Sequence, residues 1–92
     1  MKRQTLQIRV SGLVQGVGYR RWAWIKAVSL GIDGQVRNLS DGWVEILAQA
    51  EDTALRTFLE LLREGPRLAK VTGLEVEPYH ANGLDWRRFE VR

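Results

Sequence analysis

The strongest constraint on this chain is a hydrophobic period that switches between about two and about 3.6 residues along its length. From Thr5 to Gly12 the chain alternates, with Leu6, Ile8 and Val10 on one face and Gln7, Arg9 and Ser11 on the other. That pattern predicts a half-buried strand. From about Arg20 to Leu30 the recurrence of Tyr19, Ala23, Ala27 and Leu30 predicts a helix, and Gly31 stops it. A strand over Gln35–Asn38, a turn at Leu39-Ser40-Asp41-Gly42 and a strand over Trp43–Ala48 follow. Asp-Gly between two strand-like runs is a hairpin signal. In the second of these strands Val44, Ile46 and Ala48 share a face.

The next helix is marked by Leu55, Phe58, Leu59 and Leu62, with Asp52 as its expected cap and Gly65-Pro66 as its end. A strand from about Val71 to Glu77 turns Leu74 and Val76 inward and Glu75 and Glu77 outward. Pro78 to Asp85 reads as a loop and Trp86 to Val91 as a short last strand. The order is β-α-β-β-α-β plus a terminal strand. The economical packing is an α+β ferredoxin-like sandwich: an antiparallel sheet of four to five strands with two helices on one face. Residues 1–92 are expected to form one domain, since 92 residues can enclose one core. The fold alone decides no function.

Composition removes several classes. Apolar residues make up 45% and charged residues 27%, so a packed core is expected rather than disorder. There is no cysteine and one histidine, which excludes disulfides and cysteine–zinc sites. His80 falls in the expected loop and is read as solvated. A carboxylate-only magnesium site stays open on composition, but Asp33, Asp41 and Glu45 make no recognisable ligand set, and neither a metal nor a cofactor is expected. Asp41 is explained by its turn and Glu45 by an exposed strand face. No apolar run approaches a membrane span, and the N-terminus lacks a signal-peptide core, so the expected location is the cytoplasm. The net charge of +3 suits an anionic small molecule, a nucleic acid or neither.

The most informative local stretch is Gln15-Gly16-Val17-Gly18-Tyr19-Arg20, between a strand end and a helix start. Backbone N–H groups at a helix N-terminus are unpaired and carry partial positive charge. Glycines let that backbone curl closely around a ligand, and Arg20 adds a cation with a planar fork of donors. On glycine spacing alone, a tight turn with a solvated Arg20 is the simpler reading. A P-loop would need a terminal Gly-Lys-Ser/Thr, and a dinucleotide fingerprint would need glycine where Arg21 stands. Asn38, at the end of the next strand, offers a donor and an acceptor, enough to hold a water. By itself it also reads as a turn former.

Together these stretches resemble a known family. Gly12-Leu13-Val14-Gln15-Gly16-Val17-Gly18-Tyr19-Arg20 resembles the first acylphosphatase signature, G-x-V-Q-G-V-x-[FY]-R. Leu30-Gly31-Ile32-Asp33-Gly34-Gln35-Val36-Arg37-Asn38 resembles the second. Leu39 to Glu45, Gly65-Pro66 and Phe89 match as well, so the resemblance covers nearly the whole chain. Gln35 stands where the family usually carries an aromatic, and Tyr19 replaces the commoner Phe.

The resemblance implies a metal-free hydrolase of acyl phosphates, with inorganic phosphate as product and competitor. The amides of Gln15, Gly16, Val17, Gly18, Tyr19 and Arg20, with the Arg20 side chain, would bind phosphate. Asn38 would orient the attacking water. Nothing in the sequence marks an acyl pocket.

Two other functions compete. A ferredoxin-like sheet can bind RNA or protein, and Trp43 and Trp86 sit on or near strands, but the aromatic RNA-binding strand motif is absent. No nucleic acid partner is expected. An acylphosphatase-like domain of a carbamoyl-transfer maturation enzyme is the other, and the length of the chain argues against it. Trp24, Ile25 and Val28 fall off the core face of the first helix. They read either as packing under other elements or as a self-association patch, with a monomer the expected state.

Overall fold

A computed structural model describes residues 3–80 and 86–92. The elements are β1 (Arg3–Leu13), α1 (Tyr19–Ser29), β2 (Asp33–Asn38), β3 (Val44–Glu51), α2 (Asp52–Glu64), β4 (Lys70–Pro78) and β5 (Phe89–Val91). They form one sheet in the order β4-β1-β3-β2-β5, with both helices on one face. The expected ferredoxin-like α+β sandwich is therefore present, with five strands among the described residues. The sheet is mixed rather than wholly antiparallel: β5 lies parallel to β2, pairing Gly34 with Phe89 and Val36 with Val91.

The core is the layer between sheet and helices. Ile8, Val10, Val36, Val44, Ile46 and Ala48 project from the sheet and are wholly buried. Tyr19, Ala23 and Ala27 of α1 and Leu55, Phe58 and Leu62 of α2 meet them. The stripe read from the sequence of α1 is the buried one, except that Leu30 is half-buried at the C-cap. Its two alanines let the helix sit close to β2 and β5. Removing apolar surface of this kind from water contributes about 25 cal/mol per Å².

Several boundaries and details differ from the sequence reading. Asp52 is the first residue of α2, not its cap. Glu51 occupies the cap position in an extended conformation, with no side-chain cap. Asp52 instead pairs with Arg56 at 2.8 Å and accepts from Gln4 at 3.2 Å. Its charge still favours the helix start. The last strand begins at Phe89 rather than Trp86, although Gly34 N already donates to Arg88 O at 3.0 Å.

Leu74 and Val76 do pair across from Val10 and Ile8. Because β4 is an edge strand, however, Leu74 is only half-buried and Val76 is exposed. Glu45 is buried, not exposed. It accepts from Arg37 Nε at 2.8 Å and from Gln7 Nε2 at 3.2 Å on the helix-free face. Within the expected Pro78–Asp85 loop, Pro78 ends β4 and His80 is exposed, while residues 81–85 lie outside the described residues.

Tyr19 couples the start of α1 to the end of α2. Its hydroxyl donates to the Leu62 carbonyl at 2.7 Å, and its ring lies 5.6 Å from that of Trp22. Burial pushes the phenol above its ordinary range. The raised value means that the folded state holds this proton more tightly than the unfolded chain does. The resulting stability is complete below pH about 10 and declines as pH rises beyond it. Tyr19→Phe should cost about 1 kcal/mol at neutral pH by removing the hydrogen bond. In urea unfolding, the wild-type advantage should shrink between pH about 8 and about 11, and an unchanged advantage would contradict this.

Candidate active site

The loop between β1 and α1 folds back because two of its residues take left-handed backbone angles. Gly16 has φ 75° and Gly18 has φ 80°. A Cβ at either position would meet nothing within 4 Å, so conformation, not lack of room, requires glycine there. Gly18 is the N-cap of α1, no side chain caps the helix, and its first turn holds no acidic residue. The first amides of α1 therefore have no intrahelical partner and remain donors for a ligand.

The loop alternates in role. Gln15, Val17 and Tyr19 are its anchors. The Gln15 side chain reaches the β2–β3 hairpin, where Nε2 donates to Leu39 O at 2.8 Å and to Trp43 O at 2.9 Å. Val17 packs on the core and the Tyr19 side chain is inside it. Gly16, Gly18 and Arg20, in between, line a pocket of about 220 Å³. Of the six residues read as the phosphate loop, Gly16, Gly18, Tyr19 and Arg20 thus border this space. Gln15 and Val17 do not line it and face the scaffold.

Asn38 lines the same pocket. It is the last residue of β2 and pairs with Val44, while Val44 also pairs with Val10 near the end of β1. Asn38 is exposed and shares the helix-side face of β2 with Gly34 and Val36. Arg20 is half-buried, and its Nη1 donates to the main-chain oxygen of Arg92 at 2.7 Å. One of its five N–H donors is engaged this way, which fixes the guanidinium beside the end of β5.

Arg21, Val14 and Val91 complete the lining, with no carboxylate among the described lining residues. Sequence reasoning did not single out these three. Arg21 adjoins Arg20 and Val14 lies inside the first motif, so both were within reach of it. Val91 arrives through the parallel pairing of β5 with β2, which leaves no local signal.

The carboxylates considered as metal ligands are engaged elsewhere. Asp33 pairs with Arg3 at 2.7 Å, Asp41 accepts from Trp43 N at 3.0 Å in the hairpin turn, and Glu45 pairs with Arg37. Gln35, in place of the usual aromatic, lies on the helix-free face of β2 opposite Leu47 and Glu90. It sits on the other side of the sheet from Asn38.

Such a pocket gives a small α/β sandwich a lining of main-chain amides and guanidinium groups, a donor set of the kind that suits an oxyanion. Comparison with known proteins narrows the class. The acylphosphatase family model matches residues 6–91. An acylphosphatase from Thermus thermophilus is 52% identical over 75 residues, covering 82% of this chain and 85% of its own. One from Syntrophotalea carbinolica is 40% identical across 100% of this chain and 99% of its own. The crystal structure of acylphosphatase from Bacillus subtilis superimposes with a TM-score of 0.90 at 35% identity, covering 99% of both chains. This chain belongs to the acylphosphatase family.

The Gln15 side chain holds the loop and the hairpin together. Gln15→Ala should destabilise the protein by about 1–2 kcal/mol in urea unfolding. It should also speed amide exchange at Leu39, whose N–H closes the hairpin on Trp43 O at 2.8 Å. Unchanged exchange there would show that the clamp does not hold the hairpin.

Proposed function

We propose that this protein hydrolyses acyl phosphates to a carboxylate and inorganic phosphate, with Arg20 binding the phosphoryl group and Asn38 orienting water. The observation that carries this reading is the convergence of Arg20, Asn38 and the glycine loop on one pocket. Membership of the family supplies the reaction class.

The amides at Gly16, Gly18 and the start of α1, with Arg20, surround the phosphoryl oxygens. The Asn38 amide holds a water through its donor and acceptor and aims it at phosphorus. The water oxygen bonds to phosphorus as the bond from phosphorus to the acyl oxygen breaks. The electron pair leaves on the carboxylate, and the proton of the water ends on phosphate. A carboxylate is a stable leaving anion, so no general acid is required. Transfer of this kind rests on positioning and charge stabilisation. Anchored at Gln15, Val17 and Tyr19, the loop presents donors that need little reorganisation as charge develops.

The reaction needs no metal or cofactor. Inorganic phosphate competes, and the enzyme works as a monomer in the cytoplasm. No described helix is long and apolar enough to cross a membrane. Nucleic acid is not a partner in this reading. The Arg9 guanidinium lies 5.6 Å from the Trp43 ring centre, and Glu45 is taken up by Arg37 and Gln7. Trp43, one of the two tryptophans that could stack a base, thus already carries a guanidinium at its ring.

Purified protein should hydrolyse acetyl phosphate in the presence of a chelator, with added phosphate inhibiting competitively. Arg20→Ala and Asn38→Ala should each lower kcat/KM by about 10²-fold or more while thermal unfolding stays cooperative. Full activity in either folded variant would overturn the assignment.

A further inference from the structure

A second, larger depression adjoins the phosphate pocket. It has a volume of about 560 Å³ and lies between α1 and β5. Its apolar surface comes from Trp24, Val28, Ile32, Phe89 and Val91. Trp24, Val28 and Val91 are 36%, 53% and 47% exposed, a large share of the exposed apolar side chains among the described residues. The Trp24 ring is held in place, because Nε1 donates to Phe89 O at 3.1 Å. The ionic groups at the rim are paired: Asp33 with Arg3, and Glu90 with Arg92 at 2.8 Å and with Arg88 at 3.7 Å.

Val91 lines both spaces, so the groove begins where the phosphate pocket ends. From there it runs toward Asp33, at the start of β2, whereas Asn38 is at the end of that strand. Five residue steps along the strand separate the two by about 16 Å. In-line displacement requires the leaving group to depart on the side of phosphorus opposite the attacking water. A water held on Asn38 therefore sends the acyl group away from Asn38, and the adjoining groove is lined without Asn38.

We infer that this groove is the acyl subsite, and that the enzyme favours acyl phosphates whose apolar chain reaches Trp24. The inference rests on the acyl phosphate reading of the adjoining pocket. It also gives the apolar side chains on the outer face of α1 a use other than self-association. Trp24 lies one helical turn, about 6 Å, beyond Arg20, so acyl chains of about four or more carbons reach it and an acetyl group does not.

The test is a series of acetyl, butanoyl and hexanoyl phosphates with wild type, Trp24→Ala and Val28→Glu. The second variant alters a side chain that is 53% exposed and spares the Trp24–Phe89 hydrogen bond. In wild type, kcat/KM should climb about tenfold or more from acetyl to hexanoyl, since each buried methylene is worth up to about fourfold. Both variants should flatten the climb. Hydrolysis of all three acyl phosphates at equal efficiency by wild type overturns the groove but not the phosphate site. An equal climb in wild type and both variants places the acyl chain elsewhere and also overturns it. No hydrolysis of any member overturns the reading of the phosphate site, and the groove with it. A flat series, together with sedimentation that depends on concentration in wild type but not in Val28→Glu, assigns the face to a second copy of this chain instead.

Discussion

Val44 sets the register on which the site depends. It pairs with Val10 on one side and Asn38 on the other, and none of its surface is exposed. Adjacent strands lie about 4.8 Å apart, so this row holds Asn38 about 10 Å from the last buried residue of β1. The glycine loop leaves β1 within a few residues of that point. A slip of one residue in the Asn38–Val44 pairing would turn Asn38 to the opposite face of the sheet, and a slip in the Val10–Val44 pairing would turn β1 instead. Burial of Val10, Val36, Val44 and Ile46 on one face makes such a slip costly. The hydrophobic core thus fixes the placement of a polar side chain that contributes nothing to it.

The loop shows the same division of labour on a smaller scale. Side chains at alternate positions, Gln15, Val17 and Tyr19, tie it to the hairpin, the core and the end of α2. The residues between them, Gly16, Gly18 and Arg20, face the pocket. Two have no side chain and the third has a long charged one, so the lining is backbone amide and guanidinium. Binding by such groups is strong only if they are held in place beforehand, because flexible donors must give up entropy to converge. The anchors account for how so few functional groups can suffice.

Much of this was legible in the sequence because it depends on local pattern. The period of the apolar residues specified both helices and most strands. The glycine loop, Arg20 and Asn38 lie in stretches whose spacing is distinctive. What was not legible depends on distant pairing. Val91 and Arg92 reach the site only because β5 lies parallel to β2, and a three-residue strand carries too little pattern to show its partner. Glu45 alternates like an outward residue, yet Arg37 and Gln7 enclose it. Asp52 has the chemistry of a cap, but the extended backbone of Glu51 places the helix start one residue earlier. The groove beside Trp24 is a product of tertiary packing, and no run of sequence describes it.

The central claim is that Arg20 holds phosphate and Asn38 serves the water. Direct measurement of phosphate binding by calorimetry separates these roles without relying on turnover. Asn38→Ala should bind phosphate within about threefold of wild type, whereas Arg20→Ala should lose about tenfold or more of the affinity, in line with one charge-assisted contact. Equal loss in both variants would contradict the division, as would intact binding in Arg20→Ala.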